Sequence, residues 1–403
     1  MSTVGQLMKI MVLAVGLCAT ASVEGQDQPV PKEKKPVAAA APASPEAKEF
    51  QELFAVRTQL SAKLNKLQGP LQEAVKANDA KKHKELVDQF NAQIADFESK
   101  TLPRMLELAG PLYIKDGKYA DAETIVLGHL QDLYHENKYR QVVAEGGKYY
   151  AAGRKHPLIL NFVGVSLFAT HDFNKAEEVL KQAKLAANNS DEAGSMFAQI
   201  GSRYLDLCKE YQGYWKTEQA LRQKEAAATG EAKLPRVLFK TNRGDIELEL
   251  FENEAPNSVA NFISLVEKKK YDGVAFHRVL PNFMAQGGDP NTLDKDPRND
   301  GMGGPGYHIA CECYQPNARM HFQGSLSMAH AGKDSGGSQF FLTHLPTSHL
   351  NPDPDKPSGH TVFGRITKGL DLVLGLRPGD KIITATMISK RNHPYVPKTM
   401  PGD

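Results

Sequence analysis

Two stretches decide the fold of this chain: FHRVLPNFMAQGGD, from Phe276 to Asp289, and GSQFFLT, from Gly337 to Thr343. In the first, Arg278 and Gln286 are interleaved with Phe283 and Met284, residues of a kind that is normally buried. A guanidinium and an amide held among such neighbours are costly unless something uses them. The mixture marks a site on a strand pair rather than a plain core.

Working outward, RVLFKTN and DIELELF alternate apolar and polar residues and join through Asn242, Arg243 and Gly244, a hairpin signature. Pro256 opens a helix whose Val259, Phe262, Ile263 and Val266 recur at i, i+3, i+4 and i+7. Short strands follow at AFHRV, FMAQG, SLSMA, SQFFLTH, TVFGRI and KIITATMIS, with a helical turn around Asp371 to Leu376. Eight such strands and two helices suit a closed antiparallel barrel, which leaves no unpaired edge.

The motifs FHR, Phe-Met-x-Gln-Gly-Gly-Asp and Ser-Gln-Phe-Phe resemble those of the cyclophilin family of peptidyl-prolyl cis-trans isomerases, over roughly Pro235 to Lys390. The resemblance implies the same mainly-β barrel and an isomerase acting on proline-containing polypeptides. Rotation about an X-Pro bond breaks amide resonance, with a barrier of about 18–20 kcal/mol. It requires no nucleophile, metal or proton transfer, so no cofactor and no metal are expected. A guanidinium aimed at the prolyl nitrogen would help, since a hydrogen bond to its lone pair strengthens only in the twisted state.

Carried over residue by residue, the resemblance implies Arg278, Gln286 and Phe283 as catalytic residues. Phe283, Met284, Phe341 and Leu350 would form the apolar cup for the proline ring, with His360 at its edge and Phe276 also in the substrate site. Ala329, His330, Ala331 and Gln339 would line the groove for the preceding residues. His330 stands where many relatives carry Asn, and His349 where vertebrate-type members carry a tryptophan that donates to cyclosporin. The second change predicts weakened drug binding with isomerase activity retained.

The remaining half is different in kind. Lys9, the apolar run from Ile10 to Ala21 and the polar turn at Glu24 have the layout of a secretory signal too short to span a bilayer comfortably. A Pro, Ala and Lys rich linker follows to Pro45. Helical spacing runs through Phe50, Leu53, Leu60, Leu64 and Leu67, breaks at Gly69 and Pro70, and resumes through Leu86, Phe90, Ile94 and Phe97. Beyond Pro111 the phrases GKYADAE, NKYRQVV and HDFNKAEEVL recur, and Tyr139 and Phe173 lie 34 residues apart, the tetratricopeptide period.

The expected architecture is therefore multidomain: an all-α helical-hairpin domain, tetratricopeptide-like, followed by a mainly-β, cyclophilin-like, eight-stranded closed barrel with two helices. The expected division is a signal peptide at 1–21, a linker at 22–45, a helical hairpin at 46–110, repeats at 111–228, the isomerase domain at 229–395 and a tail at 396–403. With 403 residues the chain exceeds what one core usually serves. Its 49 basic against 47 acidic residues leave no field for a nucleic-acid partner. After signal cleavage no membrane association is expected. Four cysteines cannot staple so large a chain, and a disulfide between Cys311 and Cys313 would close only with strain. The function expected is a prolyl isomerase for exported, periplasmic or secreted polypeptides, with a protein partner for the helical repeats. The alternative is a non-catalytic proline-peptide binding module on a helical scaffold.

Overall fold

The computed structural model describes residues 44–117, 119–188, 196–353 and 355–402. The expected signal at 1–21 and the expected linker as far as residue 43 lie outside these. The described residues fall into two compact units: those up to Gln131 with Ala151–Arg154, and Asp132–Tyr150 with everything from Lys155 onward.

The first unit contains α1 (Pro45–Lys76), α2 (Ala80–Lys100), α3 (Leu102–Lys115) and most of α4 (Ala120–His135). Ser44 caps α1 by accepting the Ala47 N–H at 3.2 Å, and Pro45 takes the first helical position, where its missing donor costs nothing. The expected break at Gly69 and Pro70 does not occur, and α1 runs on to Lys76. Pro70 forgoes its own helix hydrogen bond, and its further clash with the preceding residue is lightened because that residue is Gly69, with open space around it. The chain turns instead at Asn78, in the left-handed region at φ 52°, and Asp79 caps α2 by accepting the Lys82 N–H at 2.9 Å. Leu64 of α1 packs with Phe90 and Ile94 of α2, flanked by Leu60 and Leu67.

The second unit begins with most of α5 (Tyr139–Ala151), then α6 (Pro157–Ala169), α7 (Phe173–Asn188) and α8 (Met196–Ala226). Every residue of α6 from Leu158 to Ala169 is buried. Gly164 lets α7 approach, since a Cβ there would stand 2.6 Å from Leu180. The residues just before α5 and just before the turn into α7, Asn137 at φ 59° and His171 at φ 71°, are both left-handed and lie 34 positions apart.

The sheet follows in the same unit. Its strands are β1 (Arg236–Thr241), β2 (Gly244–Leu250), β3 (Arg278–Leu280), β4 (Met284–Gly287), β6 (Ser325–Met328), β7 (Phe340–Thr343), β8 (Val362–Lys368) and β9 (Ile382–Ser389), ordered β3-β4-β7-β6-β8-β2-β1-β9. A separate pair joins β5 (Tyr307–His308) to β10 (Met400–Pro401), so residues expected as a tail are hydrogen-bonded. Helices α9 (Pro256–Glu267) and α10 (Leu370–Leu374) complete the fold. Phe239, Phe262, Phe340, Phe363 and Ile382 are among the fully buried residues of its core.

The expected closed barrel is corrected to a curled sheet, because its end strands β3 and β9 are not paired with each other. The seam is made by the chain before β3: Gly273 and Phe276 donate to Ile382 and Asp380 at 2.7 and 2.8 Å, and Ile382 and Gly379 donate back to Val274 and Phe276 at 2.9 Å. A regular ladder is interrupted there by Pro378, which has no donor, and by Gly273 and Gly379, at φ 81° and 91°.

Helix α8 is bound to this sheet by a buried ionic cluster. Arg319, 3% exposed, pairs with Glu218 at 2.7 Å, with Glu225, and with Glu254 at 3.6 Å. Arg365 pairs with Glu225 at 2.8 Å and with Glu249. The Phe251 ring lies 4.1 Å from the Arg319 guanidinium carbon. Trp215 packs on Phe322 with ring centres 5.1 Å apart, and Tyr211 donates to the His321 carbonyl at 3.2 Å. The compact unit therefore does not end at the small, polar stretch near Gly230.

Candidate active site

The site grows from the register of the β3-β4 hairpin. Arg278 stands directly opposite Gln286, Gln286 opposite Phe341 of β7, and Phe341 opposite Ser327 of β6. Residues paired across neighbouring strands share a face, so this row presents its side chains together. The alternate rows, with Ala285, Leu342 and Leu326 or with Phe340 and Met328, supply the core. The spacing of the two opening motifs is thus the spacing of one transverse line across four strands.

A chain of amides orients the arginine. Gln339 donates from Nε2 to the Gly301 and Gly303 carbonyls at 2.9 and 2.8 Å, which turns its own oxygen toward Gln286. Gln286 Nε2 donates to that oxygen at 2.9 Å, which leaves Gln286 Oε1 to accept from Arg278 Nη1 at 3.3 Å. The direction of each amide follows from the one before it. Arg278 is exposed, its guanidinium carbon 5.9 Å from the centre of the Phe283 ring. Among the described residues no carboxylate forms an ion pair with it.

The apolar side is built from Met284 and Phe341, 2% and 4% exposed, with Phe283 and Leu350 half-buried. The exposed His349 ring lies 5.2 Å from Phe283. His360 meets Phe341 nearly edge-on at 5.5 Å and stacks on His330 at 3.9 Å. Its Nδ1 bonds the Met328 carbonyl at 2.9 Å. Burial, then the nearby His330, brings the His360 pKa down to about 4, so at neutral pH it is an uncharged donor to that carbonyl. Ala329 donates its N–H to the Gln339 carbonyl at 3.0 Å, and Ala331 is exposed.

Phe276 is placed otherwise than expected. It has no exposed surface and belongs to the core, edge-on to Phe340 at 6.3 Å and against Gly287, where a Cβ would stand 3.1 Å from its ring. Strand alternation would put it on the face of Arg278, but regular β3 begins only at Arg278, and the seam to Asp380 and Gly379 turns the preceding residues. Arg278 and Gln286 also line an open cleft of about 650 Å³ with His277, Pro297, Asp300, Gly301, Pro378 and Gly379. Its wall comes partly from the segment Asn291 to Asp300, through Pro297 and Asp300.

Sequence reasoning missed three supports. Arg203 of α8 reaches His349 Nδ1 at 3.3 Å. His171 Nε2 accepts the Gln323 N–H at 3.1 Å. Asn137 bonds the β3-β4 turn at Asn282, next to Phe283. For Asn137 and His171 a polar residue at a left-handed turn was the available signal, but its distant partner carried none.

Residues 236–389 match the family model described as cyclophilin type peptidyl-prolyl cis-trans isomerase/CLD. A peptidyl-prolyl cis-trans isomerase of Synechococcus elongatus is 43% identical over 158 residues, covering 39% of this chain and 98% of that protein. Peptidyl-prolyl cis-trans isomerase B of Bacillus subtilis is 49% identical over 135 residues, 34% of this chain and 85% of that protein. A crystal structure of a cyclophilin type isomerase from Cryptosporidium parvum aligns at 28% identity over 39% of this chain and 99% of its own, with a TM-score of 0.34. The chain belongs to the cyclophilin-type peptidyl-prolyl cis-trans isomerases. It is an enzyme of that class, and helices α1 to α8 precede the residues that match the family model.

Proposed function

We propose that Arg278 catalyses rotation about X-Pro bonds by donating a hydrogen bond to the prolyl nitrogen as it leaves the amide plane. The observation that carries this reading is an exposed guanidinium with no carboxylate partner among the described residues, oriented by Gln286 beside the Phe283 ring. An arginine already paired with a carboxylate would have to lose that pair before it could act. Phe283, Met284, Phe341 and Leu350 receive the proline ring, with neutral His360 and His349 at the edge. Ala329, His330, Ala331 and Gln339 face the preceding residues of the substrate. Phe276 supports the hairpin from the core rather than touching substrate.

The test is a protease-coupled isomerisation assay on the full chain. Arg278→Ala is expected to lower kcat/KM about 100-fold, since a charge-assisted hydrogen bond of about 2–3 kcal/mol in the twisted state is worth that much. Its circular dichroism should be unchanged. Activity within twofold of the parent, with substrate still bound, would refute the role of Arg278.

The clients of this enzyme are exported polypeptides, and it acts as a folding catalyst outside the cytoplasm. The reading is supported by the signal-like order of Lys9, Ile10 to Ala21 and Glu24. Residues 1–45 fused to a reporter active only after export should switch it on; a reporter that stays silent and cytoplasmic rejects the assignment. The helices before residue 132 engage a protein partner, and deleting them should abolish its capture while turnover of a proline peptide continues.

A further inference from the structure

Neither the fold nor the isomerase chemistry uses Cys311 and Cys313, yet both sulfurs are tied to the groove wall. The Cys311 N–H donates to Asp334 Oδ1 at 2.7 Å, and the Asp334 N–H donates back to Cys311 Sγ at 3.1 Å. Cys313 Sγ donates to the Gly359 carbonyl at 3.2 Å, and His330 Nε2 bonds the same carbonyl at 2.9 Å. Gly359 precedes His360, whose ring carries the His330 ring at 3.9 Å. His330 Nδ1 is buried without a hydrogen-bond partner. Cys313 and His330 therefore meet at one carbonyl, one residue before His360 at the edge of the proline cup, and Cys311 stands two residues from Cys313 with its sulfur on the Asp334 N–H.

We propose that Cys311 and Cys313 form a peroxide-reactive thiol pair whose oxidation loosens the His330–Gly359–His360 side of the isomerase groove. Cys311 is the half-buried, reachable member and Cys313 the buried one, 2% exposed. Contact with the Cys313 sulfur, with further support from His330 and the Asp334 N–H, lowers the Cys311 pKa against the cost of burial. The lowering favours the thiolate, the form that attacks peroxide. The contact with Cys311, and then burial, push Cys313 up, so it keeps its proton until it is needed. Cys208 provides the internal contrast: it is buried, donates to the Tyr204 carbonyl, and burial pushes it up to about 12.

The chemistry balances with hydrogen peroxide as oxidant. The Cys311 thiolate attacks one peroxide oxygen, the O–O bond breaks, sulfur loses two electrons and becomes a sulfenic acid, and hydroxide departs. Cys313 then loses its proton and attacks the Cys311 sulfur, forming the S–S bond and releasing the sulfenic oxygen as water. A bridge between residues two apart is strained, so a dithiol reductant reverses it readily. Making it draws Cys313 Sγ off the Gly359 carbonyl that also holds His330.

The effect on turnover rests on the isomerase reading of the groove, whereas the thiol chemistry is read by mass and does not. The full chain is treated with equimolar hydrogen peroxide, and its peptides are mapped with and without a sulfenic-acid trap. The expected result is a trapped adduct on Cys311 in Cys313→Ser, a bridged Cys311–Cys313 peptide in the parent, and unmodified Cys208. Isomerase kcat/KM of the parent should fall about fivefold on oxidation, the equivalent of about 1 kcal/mol, and recover with dithiothreitol. Cys311→Ser should not respond. Equal oxidation of Cys208 and Cys311, or a complete bridge with unchanged turnover, overturns the proposal. A reduced parent with no turnover would instead refute the isomerase reading, leaving the mass result to decide the thiols.

Discussion

The Asn137 side chain accepts the backbone N–H of Asn282 at 2.7 Å and donates to the Leu374 carbonyl at 2.9 Å. Tyr139 completes the clamp, its hydroxyl 3.1 Å from Asn137 Oδ1 and 3.0 Å from Asn282 Oδ1. Asn282 is itself left-handed, at φ 56°, and immediately precedes Phe283. A residue before the first helix of the second unit thus holds the turn that presents the aromatic wall of the site.

Asn137→Ala should leave a buried acceptor and donor unpaired and place a non-glycine residue without a local hydrogen bond in the left-handed region. A loss of about 2–3 kcal/mol is expected. For a unit of this size that corresponds to a fall in Tm of roughly 4–12 °C. Turnover should fall with stability because the Phe283 turn is released. An unchanged Tm in calorimetry would show that the clamp contributes nothing.

The ionic cluster predicts an order of effects. Burial raises the Glu225 pKa, and its arginine neighbours offset this only in part. Glu218 is also penalised by burial, but Arg319 and Arg222 more than compensate and hold its pKa below the usual carboxylate value. Glu218→Gln should therefore cost about 3 kcal/mol, as for breaking a buried pair, and Glu225→Gln clearly less. Urea unfolding of the two variants decides, and the reverse order contradicts the account.

The amide chain predicts a separation of kinetic constants. Gln339→Leu removes the donor pair to Gly301 and Gly303 and frees Gln286 to rotate. Arg278 keeps its charge but loses its aim, so kcat should fall about tenfold, a change of about 1.4 kcal/mol, with KM within about twofold. A rise in KM at constant kcat would mean that Gln339 only binds substrate.

Two fully buried histidines contribute to an acid limit. His321 and His344 have no exposed surface, and burial depresses their pKa values from 6.5 to about 3 and about 4. In the unfolded chain they take up protons below about pH 6.5, whereas the folded chain resists. Their contribution is complete above pH 6.5 and is lost as pH falls toward the folded values. At pH 5 each group costs about 2 kcal/mol of stability relative to pH 7.5. His344→Gln should flatten the pH dependence of the urea midpoint by its share; an unaltered slope would exclude it.

Much of the site was legible because strand register is local. Arg278, Gln286 and Phe341 are brought into one row by alternation and a short hairpin, both written in the order of residues. Phe276, which the resemblance placed in the substrate site, is turned into the core where the seam bends the chain. Gly69 and Pro70 misled for a different reason: a proline costs a helix one hydrogen bond, and the helix can continue through it where the remaining turns hold. Arg203, His171 and Asn137 could not be placed, as each acts on a residue more than a hundred positions away.

What residue order determined by itself was the chemistry of the isomerase half: which strands alternate, where they turn, and which polar groups stand among apolar ones. Tertiary structure alone decided what packs against that half. Arg319 is a buried charge and Arg365 a half-buried one, and the carboxylates of α8 that neutralise them lie far earlier in the chain. A charge taken out of water must be matched wherever the fold can supply a partner, and no local pattern records which partner that is.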